Sequence, residues 1–383
     1  MSKHGRIRIA VVTAYPPNRG RLSEYAKMLL TNLVKINPKL QIIVLADLQY
    51  SHSNSSIIVK GLWEPDVVFT LFKVIKEILK IKPHLVMFNI HFAVFGRKRI
   101  SNFFGFSMIQ LINLLKKVFR FKTITILHNI PEAIKIEVLG LKRSLINRIG
   151  FLIAEKMALS SDVTLVTLKL YVKMLKERFK KKKIMYLPHG AWSWSINDKL
   201  AFEKRNIIAF IGYLSPTKDL NLLINAFKKI REENNVKLCI IGSPHPNFPE
   251  SFSEIVNIKD DGIEVLGYVP DSKLPEIFKK TLAVVLPYKT TTGSSGILHL
   301  VCSAGIPVIA VDHPEFRELS RDGAGILLTR NTVEDVAEKM RLIIKNKNLW
   351  YSLSRRSMLF GTKRSWDNVA KELNKIIVSL LKH

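Results

Sequence analysis

The sequence predicts an α/β protein in which two doubly wound, parallel-sheet (Rossmann-like) domains face each other across a cleft. Short apolar strands alternate with amphipathic helices, which is typical of a parallel sheet covered on both faces. The alternation stops in one polar stretch and then begins again. The chain has 383 residues, 47% of them hydrophobic, which is enough to fill two cores. Ligands of such sheets bind beyond the carboxyl ends of the strands, so we expect binding in the cleft.

The first half contains five segments predicted as buried strands, because each is short, rich in β-branched residues and bounded by polar or turn residues. They are Ile7–Thr13, Leu40–Leu45, Leu85–Ile90, Thr123–Leu127 and Val163–Val166. Amphipathic periodicity predicts helices between them, including Leu22–Ile36 and Val68–Ile81. The first sheet is therefore expected to be parallel and to have helices on both faces.

The second half repeats the pattern with six further predicted strands. They are Ile207–Gly212, Lys237–Gly242, Ile263–Leu266, Leu282–Leu286, Val308–Ala310 and Ile326–Leu328. The stretch from Pro188 to Asn206 has no periodicity and marks the junction. We therefore predict one Rossmann-like domain at 1–190, a second at 191–360, and a C-terminal helix at 361–383 that packs back on the first domain.

Positive charge is the strongest compositional signal. The net charge is +29, of which residues 1–200 contribute +23 and residues 201–383 only +6. Such a field attracts phosphates on a membrane surface, a lipid-linked substrate or a nucleic acid, and a solvated lysine-rich surface is the alternative. No zinc-finger spacing, helix-turn-helix or RNA-recognition pattern accompanies the charge, so nucleic-acid binding is a remote alternative.

Three further features of the sequence bear on cellular location, membrane spans and cysteine chemistry. Ile7–Thr13 is predicted as a buried strand rather than part of a secretory leader, so we expect a cytoplasmic protein. The uncharged stretch Thr290–Val311 contains Gly293, Gly296 and Pro307 and makes a poor bilayer span. The chain has two cysteines, each in an apolar stretch, and they indicate neither a disulfide framework nor a zinc site.

Two loops of the second half have features suited to phosphate. The first follows a predicted strand and runs from Gly212 to Lys218, where a lysine at the mouth of a strand-to-helix turn could reach a bound phosphate. A solvated lysine near a helix start is the alternative. The second, Lys289–Gly296 (KTTTGSSG), joins a strand to a helix predicted to begin at Ile297. Its small residues would expose backbone N–H groups to a diphosphate, although a plain N-capped loop has the same composition.

Several motifs occur in a fixed order along nearly the whole chain. They are YPPNRG at 15–20, LHN at 127–129, MYLPHGAW at 185–192, the 212–218 loop, LGYVP at 266–270, GIPV at 305–308 and PEFRE at 314–318. Together they resemble the glycosyltransferases of the GT-B fold, and in particular family four of that class, whose members are retaining enzymes that use nucleotide-activated sugars.

The resemblance implies a role for each matched position. The donor diphosphate sugar would be bound by Gly212, Tyr213, Lys218, Thr292, Gly293, Ser294, Ser295, Gly296 and Leu300. His128 and Lys218 would be the catalytic residues, and Asn18, Arg19 and Gly20 would form the acceptor-side loop. The resemblance further implies transfer with retention by a front-face displacement, with the donor as a substrate and with neither a metal nor a cofactor. Before the resemblance is considered, a core histidine at a strand end explains His128 equally well.

The sequence departs from the family pattern at the donor site. Two glutamates of the family, separated by seven residues, align here with Thr292 and Leu300, the arginine after the loop glycine is Tyr213, and the glycine after the lysine is Asp219. Leu300 can only pack, whereas a threonine hydroxyl can bind a sugar hydroxyl. An altered donor, another chemistry such as sugar-nucleotide epimerisation, and a binding subunit without activity all remain open.

The acceptor is expected to be lipid-linked or a surface glycan intermediate. Residues 97–122 place basic clusters on both sides of an apolar, aromatic-rich segment, a pattern that suits the interface of an anionic membrane. An internal helix with basic ends is the alternative. With the charge of residues 1–200, this segment favours a cytoplasmic protein in peripheral contact with the membrane.

Overall fold

A computed structural model describes residues 6–18, 20–47, 52–53, 56–139, 144–180, 182–194, 202–233, 235–245, 248, 260–291 and 293–382. The chain divides into two compact units. The first contains Met1–Ala133, Lys142–Gly190 and Trp366–His383, and the second contains Ile134–Leu141 and Ala191–Ser365. The sequence did not indicate that the short segment Ile134–Leu141 groups with the second unit.

The first unit is built on a sheet of eight strands in the order β3-β4-β2-β1-β5-β6-β7-β8. Seven run parallel, while β3 is antiparallel to β4. The strands are β1 Ile7–Thr13, β2 Leu40–Ala46, β3 His52–Ser53, β4 Ile57–Gly61, β5 Leu85–Ile90, β6 Lys122–Leu127, β7 Val163–Val166 and β8 Ile184–Tyr186. The helices are α1 Arg21–Ile36, α2 Thr70–Ile81, α3 Arg99–Phe119, α4 Leu145–Ala158 and α5 Lys169–Arg178.

The second unit has a parallel sheet of six strands in the order β11-β10-β9-β12-β13-β14. These are β9 Ile207–Ile211, β10 Lys237–Ile241, β11 Ile263–Gly267, β12 Thr281–Leu286, β13 Val308–Val311 and β14 Ile326–Thr329. The helices are α6 Leu220–Lys228, α7 Leu274–Lys280, α8 Gly296–Cys302, α9 Pro314–Arg321, α10 Val333–Lys345 and α11 Lys347–Lys363.

A last helix, α12, spans Trp366–Lys382 and belongs to the first unit. It packs on α1, where the side chain of Asn37 donates to Oδ1 of Asn374 at 2.9 Å. The rings of Tyr25 and Trp366 meet edge to face, with their centroids 5.0 Å apart. Buried aromatic packing therefore attaches the C-terminal segment to this unit.

The core strands explain why the periodicity is readable in the sequence. All six side chains of β5 and all six of β12 are buried, as expected of parallel strands covered on both faces. Every predicted strand is present, with ends that differ by one residue at most. The sequence did not predict β3, β4 and β8, which are short and lie at the two edges of the first sheet or, for β4, next to one. The prediction of two Rossmann-like, parallel-sheet domains is confirmed.

Candidate functional site

The order of the strands in the second sheet reverses between β9 and β12. From β9 the chain moves outward through β10 and β11, returns to β12 on the other side of β9, and continues outward through β13 and β14. In doubly wound sheets a ligand binds where the order reverses, beyond the carboxyl ends of the two strands concerned. Both loops predicted for the donor leave the sheet here, one after β9 and the other after β12.

Hydrogen bonds join these two loops directly. The backbone N–H of Lys289 donates to the carbonyl of Thr217 at 2.9 Å, and that of Asp219 donates to the carbonyl of Pro287 at 2.6 Å. A Cβ added to Gly212 would lie 3.7 Å from Cγ1 of Ile297, in the first turn of α8. Two segments some 75 residues apart in sequence therefore form one surface at this edge of the sheet.

Lys218 lies within this surface, and its ammonium group is desolvated. Its Nζ is 3.0 Å from the ring centroid of Tyr288, a cation–π contact. In the part of the chain that the structure describes, no carboxylate lies within salt-bridge distance of this ammonium group. Burial lowers the pKa of Lys218 to about 7, because the charged form loses hydration without gaining a counter-ion. An anion bound here would supply that counter-ion.

A close approach of two glycines shapes the same edge. Gly242, which follows β10 with φ +148°, would place an added Cβ 1.9 Å from the carbonyl oxygen of Gly212. The backbone N–H of Gly212 donates in turn to the carbonyl of Ile241 at 2.9 Å. A side chain at 242 would collide with the backbone, so glycine is required for this course of the 212–218 loop.

The loop after β12, which the sequence predicts to bind the donor, enters α8 through Ser295. Its φ is +54°, and its Oγ accepts a hydrogen bond from the N–H of Leu298 at 3.4 Å. Ser294 is buried, and Gly293 has φ +133°. Leu300 is completely buried, and its carbonyl accepts from the indole N–H of Trp194 at 2.9 Å. The predicted donor residue Thr292 lies outside the described residues.

Tyr213, the residue at the family's arginine position, lies half-buried at the same edge. Its ring meets that of His245 edge to face, with centroids 5.2 Å apart. An aromatic ring offers a ligand a flat apolar surface and a phenolic hydroxyl where an arginine would offer charge. Lys218 is therefore the cation that the 212–218 loop itself contributes.

The first unit places His128 directly after β6, beside β5. Its Nε2 lies 2.7 Å from Oδ1 of Asn89 in β5, and Nδ2 of Asn89 donates to Oγ1 of Thr13 in β1 at 2.9 Å. The order of this sheet reverses between β1 and β5, so this polar chain lies at the corresponding position of the first sheet.

The hydrogen bonds determine which nitrogen of His128 carries the proton. The hydroxyl of Thr13 donates to the carbonyl of Ala14 at 3.0 Å, so its oxygen is the acceptor for the amide NH₂ of Asn89. The amide oxygen of Asn89 therefore faces His128, and Nε2 must be the donor. Nδ1 of the neutral ring is then left as an acceptor, suited to a substrate hydroxyl.

The surroundings of His128 keep the ring neutral. Burial holds its pKa well below the usual value, and the nearby His189 and His91 lower it further. The buried ring of Tyr25 meets it edge to face, with centroids 4.4 Å apart. Tyr25 also contacts His189, at a centroid distance of 5.0 Å.

Asn18 fixes the loop after β1, which the sequence predicts to lie on the acceptor side. Its side-chain amide donates to the carbonyl of Asp47, after β2, at 2.7 Å. The carbonyl of Gly20 accepts from the N–H of Glu24 at 3.1 Å and so begins α1, with φ of Gly20 at +149°. Arg19 lies outside the described residues. Asn18 thus holds the loop in place, while Gly20 lets it turn into the helix.

Three residues of these sites were missed by sequence reasoning: Thr13, Asn89 and Tyr288. Asn89 could have been noticed in the sequence, because it is a polar amide near the end of the otherwise apolar strand LVMFNI, and a buried polar group needs a hydrogen-bond partner. Nothing in the order of residues showed that the ring of Tyr288 would cover Lys218.

Within the described residues, no group of three or more His, Cys, Asp or Glu side chains is arranged so that it could hold a metal ion. The two cysteines, Cys239 and Cys302, are free and buried. Burial raises the pKa of each thiol to about 12, so both are protonated at neutral pH. They belong to the core of the second unit.

Comparison with known proteins agrees with this architecture. Residues 193–358 match the family model described as glycosyl transferases group 1. An uncharacterized glycosyltransferase of Methanocaldococcus jannaschii is 26% identical over 248 residues, which cover 64% of this chain and 66% of that protein. The matched stretch is thus just under two thirds of the relative's own length.

Two solved structures share the fold over 98% of this chain and the whole of theirs. Sucrose-phosphate synthase from Thermosynechococcus elongatus has a TM-score of 0.76 at 15% identity. Anabaena HepE, solved in complex with UDP and glucose, has a TM-score of 0.69 at 12% identity. The comparisons support a glycosyltransferase: residues 193–358 match the glycosyl transferases group 1 family, within a chain that has the GT-B fold.

Proposed function

We propose that the protein transfers a glycosyl group from a nucleotide diphosphate sugar to an acceptor. The desolvated ammonium of Lys218 carries this proposal, because it lies where the strand order reverses, beside the loop that enters α8. A diphosphate would return to this group the charge partner that burial removed. The complex of HepE with UDP and glucose shows that a protein of this fold binds such ligands.

The proposed reaction retains the configuration of the anomeric carbon. The bond between that carbon and the oxygen of the outer phosphate breaks, and a bond to an acceptor oxygen forms on the same face. The acceptor's proton passes to the departing phosphate. Negative charge grows on the diphosphate during this step, so a fixed cation lowers the barrier. Because Lys218 supplies positive charge, we expect EDTA to leave the rate unchanged.

The first unit would bind the acceptor, which we propose to be lipid-linked or an intermediate of a surface glycan. The positive charge of residues 1–200 favours a phosphate-bearing acceptor. His128 would accept a hydrogen bond at Nδ1 from a hydroxyl of the donor sugar or the acceptor. Asn18 and Gly20 shape the neighbouring loop.

Calorimetric titration with UDP, GDP, ADP and their sugars tests the donor site, followed by product analysis for each ligand that binds. Lys218→Met should lower kcat/KM about 100-fold, as expected when one stabilising donor to a developing anion is removed. Lys237→Met is the matched control, since Lys237 is exposed at the opposite, amino-terminal end of β10.

Each outcome separates one function from another. Transfer to an acceptor or hydrolysis, lost in the Lys218 variant alone, supports the proposal. Formation of an epimerised nucleotide sugar without transfer would assign the site a different chemistry. Failure of every nucleotide to bind would refute the donor site, and equal losses in both variants would show that Lys218 has no special role.

A further inference from the structure

Helix α3 exposes an unusually apolar face for a helix on a protein surface. Its exposed apolar residues include Ile100, Phe103, Phe104, Leu111, Leu114 and Val118. Their spacing of three, four and seven residues places them along one side of the helix. At 1.5 Å per residue, this row is about 27 Å long. Leu114 is 63% exposed and Val118 74% exposed, so the row is not part of the core.

Helix α4 packs beside α3 and continues this surface. Ser107 of α3 contacts the sulfur of Met157 in α4 at 3.9 Å. The exposed apolar residues of α4 are Leu145, Ile146, Ile149, Leu152 and Ile153, again at helical spacing. Ile146 is 76% exposed. The exposed apolar residues of the two helices are called the α3–α4 face below; exposed apolar surface of this extent marks a site of interaction.

Aromatic residues at the start of α2 extend the same region. The carboxylate of Asp66 accepts hydrogen bonds from the backbone N–H groups of Arg97 and Lys98, each at 2.9 Å, and so attaches the turn before α2 to the start of α3. Phe69, three residues after Asp66, is 82% exposed. An aromatic ring so exposed suits the boundary between lipid headgroups and acyl chains.

The charges around the α3–α4 face are predominantly positive. Residues 97–120 contain six lysines and arginines and no acidic residue. The only carboxylate within residues 144–158 is that of Glu155, which is completely buried. Arg99, Lys117 and Arg148 are exposed. A second copy of the chain docked through the same face in a symmetric dimer would bring these positive charges together.

We propose that the α3–α4 face docks the protein on an anionic lipid bilayer. The apolar side chains would enter the headgroup region, and the surrounding lysines and arginines would bind lipid phosphates. No helix within the described residues is long and apolar enough to cross a membrane, so the contact is peripheral. The proposal is independent of the transfer reaction, since it uses no residue of the donor site or of the His128 site.

Sedimentation of the full chain with vesicles tests this surface. The vesicles are phosphatidylcholine alone or phosphatidylcholine with phosphatidylglycerol. The wild type should bind the anionic vesicles, and added salt should weaken binding. Replacing Leu114, Val118 and Ile146 together by serine should lower partitioning at least about tenfold, because apolar burial contributes in proportion to the area lost. Replacing Leu266, Leu342 and Leu359, which are exposed in the second unit, by serine is the matched control.

A second pair of variants separates charge from apolar contact. Arg99→Gln, Lys117→Gln and Arg148→Gln together should abolish the preference for anionic lipid. Lys27→Gln, Lys176→Gln and Lys237→Gln change the net charge equally at exposed positions outside the α3–α4 face and should preserve the preference. Circular dichroism and nucleotide-sugar titration verify that each variant is folded, so loss of vesicle binding is distinguishable from failure of the donor site.

Three results would overturn the proposal. The first is no binding of the wild type to anionic vesicles at low salt. The second is an equal loss of binding in a test variant and its control. The third is self-association in sedimentation velocity that the serine variant removes while vesicles bind neither protein, because the α3–α4 face would then be an interface between copies.

Discussion

The Nε2 of His128 lies 2.7 Å from the amide oxygen of Asn89, and this contact determines how the histidine can act. Thr13 fixes the orientation of the amide, so Nε2 is the donor and Nδ1 the acceptor. Asn89 is therefore a positioning residue, since it acts on a substrate only through His128.

Asn89→Asp should make activity decline as pH falls through neutrality. A carboxylate beside Nε2 stabilises the imidazolium and raises the pKa of His128, which burial now holds well below its usual value. The charged ring has no acceptor at Nδ1, so transfer should decline as pH falls through the raised pKa. The wild-type profile should show no such step between pH 6 and 8. Rate profiles, with the histidine ring nitrogens followed by NMR, measure both.

Asn113→Asp is the control for that experiment. Asn113 is also a buried amide of the first unit, and its oxygen accepts from the hydroxyl of Thr123 at 2.7 Å. The variant should lower stability without introducing a step into the profile. A step in both variants would show that Asn89 has no specific effect on His128.

Binding of a nucleotide sugar should weaken as pH rises above 7. The free protein holds the pKa of Lys218 at about 7, so above this pH a bound diphosphate must draw a proton onto the amine. Linkage then lowers affinity by up to about tenfold per pH unit. The diphosphate of a nucleotide sugar has no group that titrates near neutrality, whereas the terminal phosphate of free UDP does, with a pKa of about 6.

Calorimetry at pH 8.5 in buffers of different ionisation enthalpy should detect this proton uptake, and Lys218→Met should abolish it. The same variant should be more stable than the wild type at pH 6. Folding lowers the pKa of Lys218, so the charged lysine reduces the free energy of unfolding. This destabilisation is complete below pH 7 and disappears as pH rises toward the unfolded pKa of 10.5. Proton uptake that persists in Lys218→Met would assign the titration to another group.

Gly242→Ala should disrupt the donor edge. The added Cβ would lie 1.9 Å from the carbonyl oxygen of Gly212, and the backbone at 242 has φ +148°. We expect a loss of about 2 kcal/mol or more in the free energy of unfolding, together with weaker donor binding. Gly267→Ala is the control, because a Cβ there meets no atom within 4 Å at φ +62°. Urea unfolding should show a loss of about 1 kcal/mol for that variant. Similar losses for both glycines would disprove the steric argument.

Arg178→Met should destabilise the first unit more at pH 8 than at pH 5. Arg178 pairs with Glu132 and, at 2.6 Å, with the completely buried Glu155. Burial, with the neighbouring Glu132, raises the pKa of Glu155, and the guanidinium of Arg178 opposes the shift. Without Arg178 the two carboxylates repel each other unless protonated, so acid should relieve the loss.

The expected loss for Arg178→Met at pH 8 is about 3 kcal/mol, in the range for breaking a buried ion pair from one side. Arg317→Met is the control, because it removes an exposed ion pair: the side chains of Arg317 and Asp312 are 49% and 36% exposed. It should lower the free energy of unfolding by less than about 1 kcal/mol. Denaturant unfolding at both pH values measures the difference, and no dependence on pH would contradict the role assigned to Glu155.

The sequence by itself determined the elements. The strands of both sheets and the helices between them follow from apolar periodicity and turn residues, which depend on neighbours a few positions apart. It also identified the two loops that we propose bind the donor, because glycines and small hydroxyl residues between a strand and a helix are a local signal for phosphate binding. The sequence did not predict short edge strands such as β8, because a half-buried edge strand has only a weak apolar pattern.

Only the tertiary structure decided what the side chains can do. Residues distant in sequence supply the ring of Tyr288 over Lys218, the amide of Asn89 against His128, and the exposure of one side of α3. Desolvation, proton positions and uncovered apolar surface all depend on which elements pack together, and strand order sets that. Local periodicity does not specify strand order. The sequence therefore placed Lys218 in a loop, but only the packing of the fold around it accounts for its pKa of about 7.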